Sequence, residues 1–245
     1  MMEDVEWTKG EIIKKQIVLT WSGGIDSTAL IAQLLKKGYE VFAFRFNINI
    51  YGSSFEEREK RAIKELLPKL QKIGKIHFKE LEGDFLFNFS PDGKEIPRRN
   101  RFIIDSMLET QNKPRKIYNI GLGEYIGADT WVVQDHVGGA DADHRALSAY
   151  IYNEYGLSFR FWSLADFGES RFKHNRVKLG TDILGEDMFL TTNCLEDGTI
   201  HCGECYKCIE RNIAFIKILG NDSTEYISNP KENKRYDLYL RQMNG

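Results

Sequence analysis

The stretch Ile17-Val18-Leu19-Thr20-Trp21-Ser22-Gly23-Gly24-Ile25-Asp26-Ser27-Thr28 constrains the fold more than any other part of the chain. A short apolar, β-branched run meets two glycines and then opens an apolar-periodic segment that ends at Gly38. That pattern predicts a buried strand, a tight turn and a helix. Gly23 and Gly24 admit positive φ, so successive backbone N–H groups can point into one concavity. The helix that follows adds its free N–H groups and the positive end of its dipole, which makes an anion the natural occupant. Ser22, Ser27 and Thr28 offer hydroxyl donors, and Asp26 stands where a helix cap or a magnesium partner would stand. A Gly-Gly turn whose Ser and Asp only cap the helix is the competing reading of so short a motif.

The segments that follow repeat the alternation. Ala29 to Leu35 gives an apolar helix face, with Gly38 as its C-terminal cap. Glu40–Asn47 is apolar enough for a strand buried on both faces of a parallel sheet. Phe55–Lys72 is a charged amphipathic helix with Ala62, Leu66, Leu67 and Leu70 inward, and Pro68 predicts a kink or break near its end. Lys75–Leu81 reads as a third strand. Later strands are expected at Thr130–Val137 and Ser158–Ser163, with a helix at Arg145–Glu154 between them. The fold class is therefore α/β: a doubly wound, mostly parallel sheet of about five strands with right-handed crossovers. Its ligands should bind outside the carboxyl ends of the strands, where the Ser-Gly-Gly loop lies.

The chain has 245 residues, 42% hydrophobic and 29% charged, with net charge −2, enough for a full core without disulfide staples. The near-neutral balance gives no global pull toward nucleic acid. No apolar run approaches a membrane span, and Met1-Met2-Glu3-Asp4 is acidic where a signal peptide would be basic, so a cytoplasmic protein is expected. All four cysteines lie between Cys194 and Cys208, which in that compartment points to metal rather than disulfides.

Two loops carry polar clusters. Residues 82–114 are irregular and locally basic at Arg98-Arg99-Asn100-Arg101, either a solvated charge run or a loop whose arginine forks face phosphate. Gln134 to Arg145 opens on the same rim as the Ser-Gly-Gly loop, and Asp143 and Arg145 can offer complementary hydrogen bonds to a polar heterocycle. Helix capping by Asp143, and a metal site using His136 and His144, are the alternatives there. Cys194, Cys202, Cys205 and Cys208 can close a tetrahedral shell around zinc, with Gly203 permitting the tight knuckle. An iron–sulfur cluster or redox-active Cys-x-x-Cys pairs are the alternatives. Ile209–Leu219 is a helix that would pin this knob to the domain.

Ser-Gly-Gly-x-Asp-Ser after a strand resembles the pyrophosphate loop of the N-type ATP pyrophosphatases, and it lacks the Gly-Lys-Ser/Thr of a Walker loop. Joined to Cys-x7-Cys-Gly-x-Cys-x-x-Cys-x-x-Arg near the carboxyl end, it resembles the 7-cyano-7-deazaguanine synthase family, over about residues 16–220. The resemblance implies an adenine-nucleotide alpha-hydrolase-like domain over residues 1–185 and a small helical zinc subdomain over residues 186–245. It assigns ATP to Ser22, Gly23, Gly24, Ile25, Asp26, Ser27 and Thr28, with Asp26 and Ser27 catalytic. Pro97-Arg98-Arg99-Asn100 is similar to a Pro-Gly-Arg-Asn segment, which adds Arg99 and Asn100 to the nucleotide site. Asp141-Ala142-Asp143-His144-Arg145 is similar to a Tyr-Pro-Asp-Cys-Arg segment, which puts Asp143 and Arg145 on the deazaguanine. The four cysteines match the zinc ligands, and Arg211 the arginine that follows them.

The implied activity is a carbon–nitrogen ligase of queuosine biosynthesis that uses ATP, Mg2+ and Zn2+. It would adenylate 7-carboxy-7-deazaguanine and, with ammonia, form first the amide and then the nitrile. Arg98, Asp141-Ala142 and His144 depart from the family pattern, so the acceptor end is less constrained than the ATP and zinc ends. Transfer of the same activated acid to another amine, such as one on a protein, is the first alternative. A tRNA-modifying pyrophosphatase and a nucleotide-binding protein without turnover are the others. The expected partner is a small-molecule deazaguanine; a protein acceptor and a homodimer stay open, and neither a membrane nor nucleic acid is expected.

Overall fold

The computed structural model describes residues 16–47, 55–82, 119–121, 160–162, 167, 172–196 and 198–244. The strands β1 (Gln16–Thr20), β2 (Glu40–Asn47), β3 (Ile76–Glu82), β4 (Asn119–Gly121) and β5 (Arg160–Trp162) form one sheet in the order β3-β2-β1-β4-β5. Every pairing in it is parallel. Helices α1 (Ile25–Lys36) and α2 (Phe55–Gln71) follow β1 and β2, while α3 (Lys173–Leu184), α4 (Tyr206–Leu219) and α5 (Tyr236–Asn244) come after β5. The chain is thus an α/β protein built on a parallel sheet.

β1 sits between β2, with Gln16 opposite Glu40, and β4, with Val18 opposite Ile120. The chain steps outward from β1 to β3 and then returns to the other side of β1. The strand order therefore reverses at the carboxyl ends of β1 and β4, the place where open α/β sheets take their ligands. The Trp21–Gly24 loop leaves β1 at that end.

The core is built around this sheet and α1, with Leu66 and Leu70 of α2, Val177 of α3 and Ile213 and Phe215 of α4 joining the same cluster. Val41, Phe42, Ala43 and Phe44 are all buried, as expected of a strand covered on both faces. On α1, Leu30, Ile31 and Leu34 are fully buried, each worth roughly 1.5–3 kcal/mol relative to exposure. The helix closes with Gly38 N–H donating to Leu35 O and Tyr39 N–H to Leu34 O, which satisfies its last carbonyls. Helix α3 packs along α1, tied to it by Gln33 Nε2 donating to Leu179 O at 2.8 Å.

Three elements differ from expectation. α2 runs through Pro68 to Gln71 without a break, because Leu66 and Leu70 on either side of the proline are fully buried and hold both halves to the core. β4 had no sequence signal: three residues are too few to show a period. The strand near residues 158–163 is present but short, at Arg160–Trp162. The strand expected at 130–137 and the helix at 145–154 lie outside the described residues.

Candidate active site and metal centre

The loop after β1 is anchored on both sides. Trp21 N–H donates to Phe44 O at 2.7 Å, and its buried indole N–H donates to Thr28 Oγ1 at 3.0 Å. Gly23 adopts φ 72°, and a Cβ there would lie 2.9 Å from Ala62 Cβ on α2. Gly24 is the N-cap of α1 and makes no side-chain cap, so the first-turn N–H groups face the rim of the sheet without a side-chain acceptor. Ser22 is exposed beside them. Ile25 and Thr28 have buried side chains, and the Thr28 oxygen already accepts from Trp21.

Asp26 is not the helix cap that its position suggested. It occupies the first turn of α1, and both of its carboxylate oxygens accept from Lys173 Nζ, at 2.9 and 2.8 Å. Arg176 Nη1 adds an ion pair at 3.1 Å. Both cations come from the first turn of α3, which α1 packs against. Burial opposes ionisation of Asp26, yet the Lys173 and Arg176 charges outweigh it and hold the carboxyl well below the usual carboxylate range. Burial pushes the Lys173 ammonium down, with Arg176 and Lys207 repelling it and Asp26 opposing them. Glu210 on α4 is pushed up by burial, although Lys173 and Lys207 act against that. Three cations, Lys173, Arg176 and Lys207, thus bear on two carboxylates, Asp26 and Glu210. Beside an uncapped helix N-terminus this is an environment for an anion.

The four cysteine sulfurs lie within 4.8 Å of one another. Cys202 and Cys208 are 3.8 Å apart and Cys194 and Cys205 3.9 Å, close to the edge of about 3.8 Å that a tetrahedron of 2.3 Å zinc–sulfur bonds would have. Backbone N–H groups of Glu196 and Cys202 point at Cys194 Sγ, and those of Glu204 and Cys205 at Cys202 Sγ. Hydrogen bonds between the sulfurs hold the Cys194 thiol far below the usual range and push Cys205 up to about 11. Such crowding suits thiolates gathered around a cation, and the donor set fits a metal ion with no open position.

This knuckle is not a remote knob. Thr192, two residues before Cys194, donates its N–H to Gly23 O at 2.8 Å and forms a parallel bridge with Gly24. On the other side, the segment after α4 lies over the cysteines. Ile227 N–H donates to His201 O and Ser228 N–H to Cys202 O. Gly203, at φ 81°, sits so close to it that a Cβ would fall 1.7 Å from Ser228 O. Burial, then the Arg211 and Arg58 charges, push His201 down to about 3, leaving a neutral ring beside Cys202. Arg211, fully buried, donates to Thr224 Oγ1, Thr191 Oγ1 and Phe189 O, so it binds this segment together rather than facing the Ser-Gly-Gly loop. Tyr226 and Tyr236 pack on their own chain, bonded to Asp222 and Asn212.

Arg99, Asn100, Asp143 and Arg145 lie outside the described residues. Among those described, Lys173 and Arg176 escaped the sequence reading. A lysine and an arginine three apart at a helix start look like any solvated face.

A parallel α/β sheet with a glycine turn and an uncapped helix start at its switch point, flanked by four cysteines placed to hold a metal ion, defines a class. The comparisons narrow it. Residues 16–112 match the family model of QueC, the queuosine biosynthesis protein. The chain is 30% identical to 7-cyano-7-deazaguanine synthase 2 of Sulfurisphaera tokodaii, over 87% of this chain and 48% of that protein. It is 29% identical to the 7-cyano-7-deazaguanine synthase of Saccharolobus solfataricus, with the same coverage of 87% and 48%. That of Rickettsia rickettsii is 26% identical over 88% of this chain and 100% of its own length. The chain is thus similar to the QueC family over residues 16–112 and, over most of its length, to proteins named 7-cyano-7-deazaguanine synthase. It spans about half the length (48%) of the Sulfurisphaera and Saccharolobus relatives. No helix of the described residues is long and apolar enough to cross a membrane.

Proposed function

We propose that the chain is an ATP-dependent carbon–nitrogen ligase that converts 7-carboxy-7-deazaguanine with ammonia into 7-cyano-7-deazaguanine. The observation that carries this reading is the cationic surplus of Lys173, Arg176 and Lys207 around Asp26, at the uncapped start of α1. The relatives named 7-cyano-7-deazaguanine synthase support the choice of substrate.

A carboxylate is a poor electrophile: its charge repels nucleophiles and oxide is a bad leaving group. In the proposed reaction a carboxylate oxygen of the substrate attacks the α-phosphorus of ATP, and pyrophosphate leaves. Ammonia then displaces AMP to give the amide. A second adenylation, on the amide oxygen, gives the nitrile after loss of both nitrogen-bound protons and of AMP, which carries the oxygen away. The first-turn N–H groups of α1, the Ser22 and Ser27 hydroxyls and the Lys173 and Arg176 cations would receive the departing pyrophosphate, compensating charge as it develops. Ile25 and Thr28, with buried side chains, would serve through their backbone alone. Asp26 keeps Lys173 and Arg176 oriented toward the loop. Magnesium, when bound with ATP, supplies further charge neutralisation on the phosphates.

Arg99 and Asn100 complete the nucleotide site in this reading, and Asp143 and Arg145 hold the deazaguanine. Cys194, Cys202, Cys205 and Cys208 hold structural zinc. The fold is of the adenine-nucleotide alpha-hydrolase-like type over residues 1–185, with a zinc subdomain over residues 186–245, and the enzyme works in the cytoplasm. The Asp141-Ala142 and His144 departures favour one second reading, in which the activated acid passes to a different amine, such as one on a protein.

Incubation with ATP, magnesium and 7-carboxy-7-deazaguanine, with and without ammonium, tests this. AMP and a nitrile product are expected only with ammonium. AMP without nitrile points to the second reading, and no AMP with this acid overturns both.

A further inference from the structure

Arg58 lies in the first turns of α2, inside the charged run Glu56-Glu57-Arg58-Glu59-Lys60-Arg61, yet it is only 2% exposed. All five of its N–H donors are used. Nε donates to Thr192 Oγ1 at 3.0 Å, Nη1 to Gly198 O and Ile200 O at 3.0 and 3.2 Å, and Nη2 to Cys194 O and Glu196 O at 3.0 and 2.9 Å. The guanidinium is therefore a plug inside a ring of alternate carbonyls from the cysteine loop, and a charged donor makes each of these bonds stronger than a neutral one would be. A lysine has three donors and no planar fork, so it cannot fill the ring.

The same helix abuts the phosphate loop. Glu59 O and Ala62 Cβ lie 3.3 and 2.9 Å from where a Gly23 Cβ would be. Thr192, whose hydroxyl Arg58 grips, bonds Gly23 O through its own N–H. Gly24 also lies against this residue, with a Cβ position 3.3 Å from Thr192 O. Arg58 thus reaches the phosphate loop by two short routes, through α2 itself and through Thr192, while its remaining bonds fix the segment that begins at the first cysteine.

We propose that Arg58 is a positioning residue that joins the metal knuckle to the Ser-Gly-Gly loop, so that the two order and loosen as one unit. The consequence for ATP rests on the adenylation reading above; the mechanical coupling does not. Arg58 touches no reacting atom. It sets the Thr192 backbone against Gly23 and so fixes the direction of the loop N–H groups.

The test compares wild type with Arg58→Lys by hydrogen exchange, metal release and steady-state kinetics. In Arg58→Lys, exchange should speed about tenfold in peptides covering both 191–202 and 21–28, while β3 keeps wild-type protection. Release of metal to a chelator should quicken in step. The KM for ATP should rise about tenfold with kcat within about twofold, since the loop is displaced and the reacting groups are kept. Chelation of the wild type should loosen 21–28 as well. Faster exchange in 191–202 with unchanged protection in 21–28 overturns the coupling, as does no change in either. Coupled exchange with an unaltered KM for ATP overturns its catalytic consequence. Coupled exchange in a wild type that makes no AMP sinks the adenylation reading alone. Should Arg58→Lys lose protection in β3 too, Thr192→Val, which deletes only the hydroxyl that Nε grips, decides between the same outcomes.

Discussion

Lys173 holds both carboxylate oxygens of Asp26, at 2.9 and 2.8 Å, across 147 residues of sequence. The pair brings the start of α3 onto the start of α1, so two helix N-termini and two cations meet at the carboxyl end of β1. A carboxylate there does not cap the helix: it keeps the Lys173 and Arg176 charges together beside the loop.

Asp26→Ala should therefore abolish AMP release, by on the order of hundredfold or more if the loss resembles that of other preorganised charge-stabilising groups. Its metal content should equal that of wild type, because the carboxylate contacts Lys173 and Arg176 and not the cysteines. Metal analysis alongside an AMP assay checks both halves. Retained turnover would remove Asp26 from the site.

The same pair fixes a direction for acid stability. The folded-state carboxyl is depressed below its ordinary value of 3.8, so its contribution is complete above that value and fades as pH falls below it. The melting temperature of wild type relative to Asp26→Asn should stay constant between about pH 8 and 5 and shrink as pH drops through and below 3.8. Thermal melts across that range measure it. A difference that shrinks near neutrality would contradict the assignment.

What could be read from the sequence follows from how local each signal is. Gly23, Gly24 and the apolar runs beside them state strand, turn and helix within a dozen or so residues, and Glu40–Asn47 was bounded correctly because its hydrophobic run is continuous. The cysteines were legible for the same reason. Lys173 was not, since nothing in Phe172-Lys173-His174-Asn175 tells which distant carboxylate it meets. Arg58 was disguised by its neighbours: in a helix whose face reads as solvated charge, one arginine turns inward to fill a ring of carbonyls 136 to 142 residues away. Thr192 carried no signal at all, because neither its backbone N–H nor the hydroxyl that Arg58 grips belongs to a local pattern.

The metal should prove structural. One zinc per chain is expected, and removing it should lower the melting temperature by roughly 5–10 °C, given a few kcal/mol of linked stability in a chain of this size. Elemental analysis with calorimetry before and after chelation checks this. Iron in place of zinc, or four free thiols with no metal, would defeat it.

Gly23 and Gly203 separate the two centres by substitution. Both adopt positive φ, at 72° and 81°, so Gly→Ala costs about 1–2 kcal/mol at either from backbone strain alone. Their surroundings differ. At Gly203 the new Cβ would fall 1.7 Å from a backbone carbonyl, Ser228 O, so the 227–228 segment must detach from the cysteine loop. At Gly23 it would meet Ala62 Cβ at 2.9 Å, with Glu59 O at 3.3 Å behind it, so the loop must move off α2 by less than the 227–228 segment must move at Gly203. Gly203→Ala should thus lose metal readily and melt at a lower temperature than Gly23→Ala. Gly23→Ala should release its metal more slowly than Gly203→Ala and show a raised KM for ATP, as the proposed reaction requires of a displaced loop. Metal content, melting temperature and ATP titration of the two variants read this out together. A Gly203→Ala protein that keeps both its metal and its melting temperature would mean that the segment does not hold the knuckle closed.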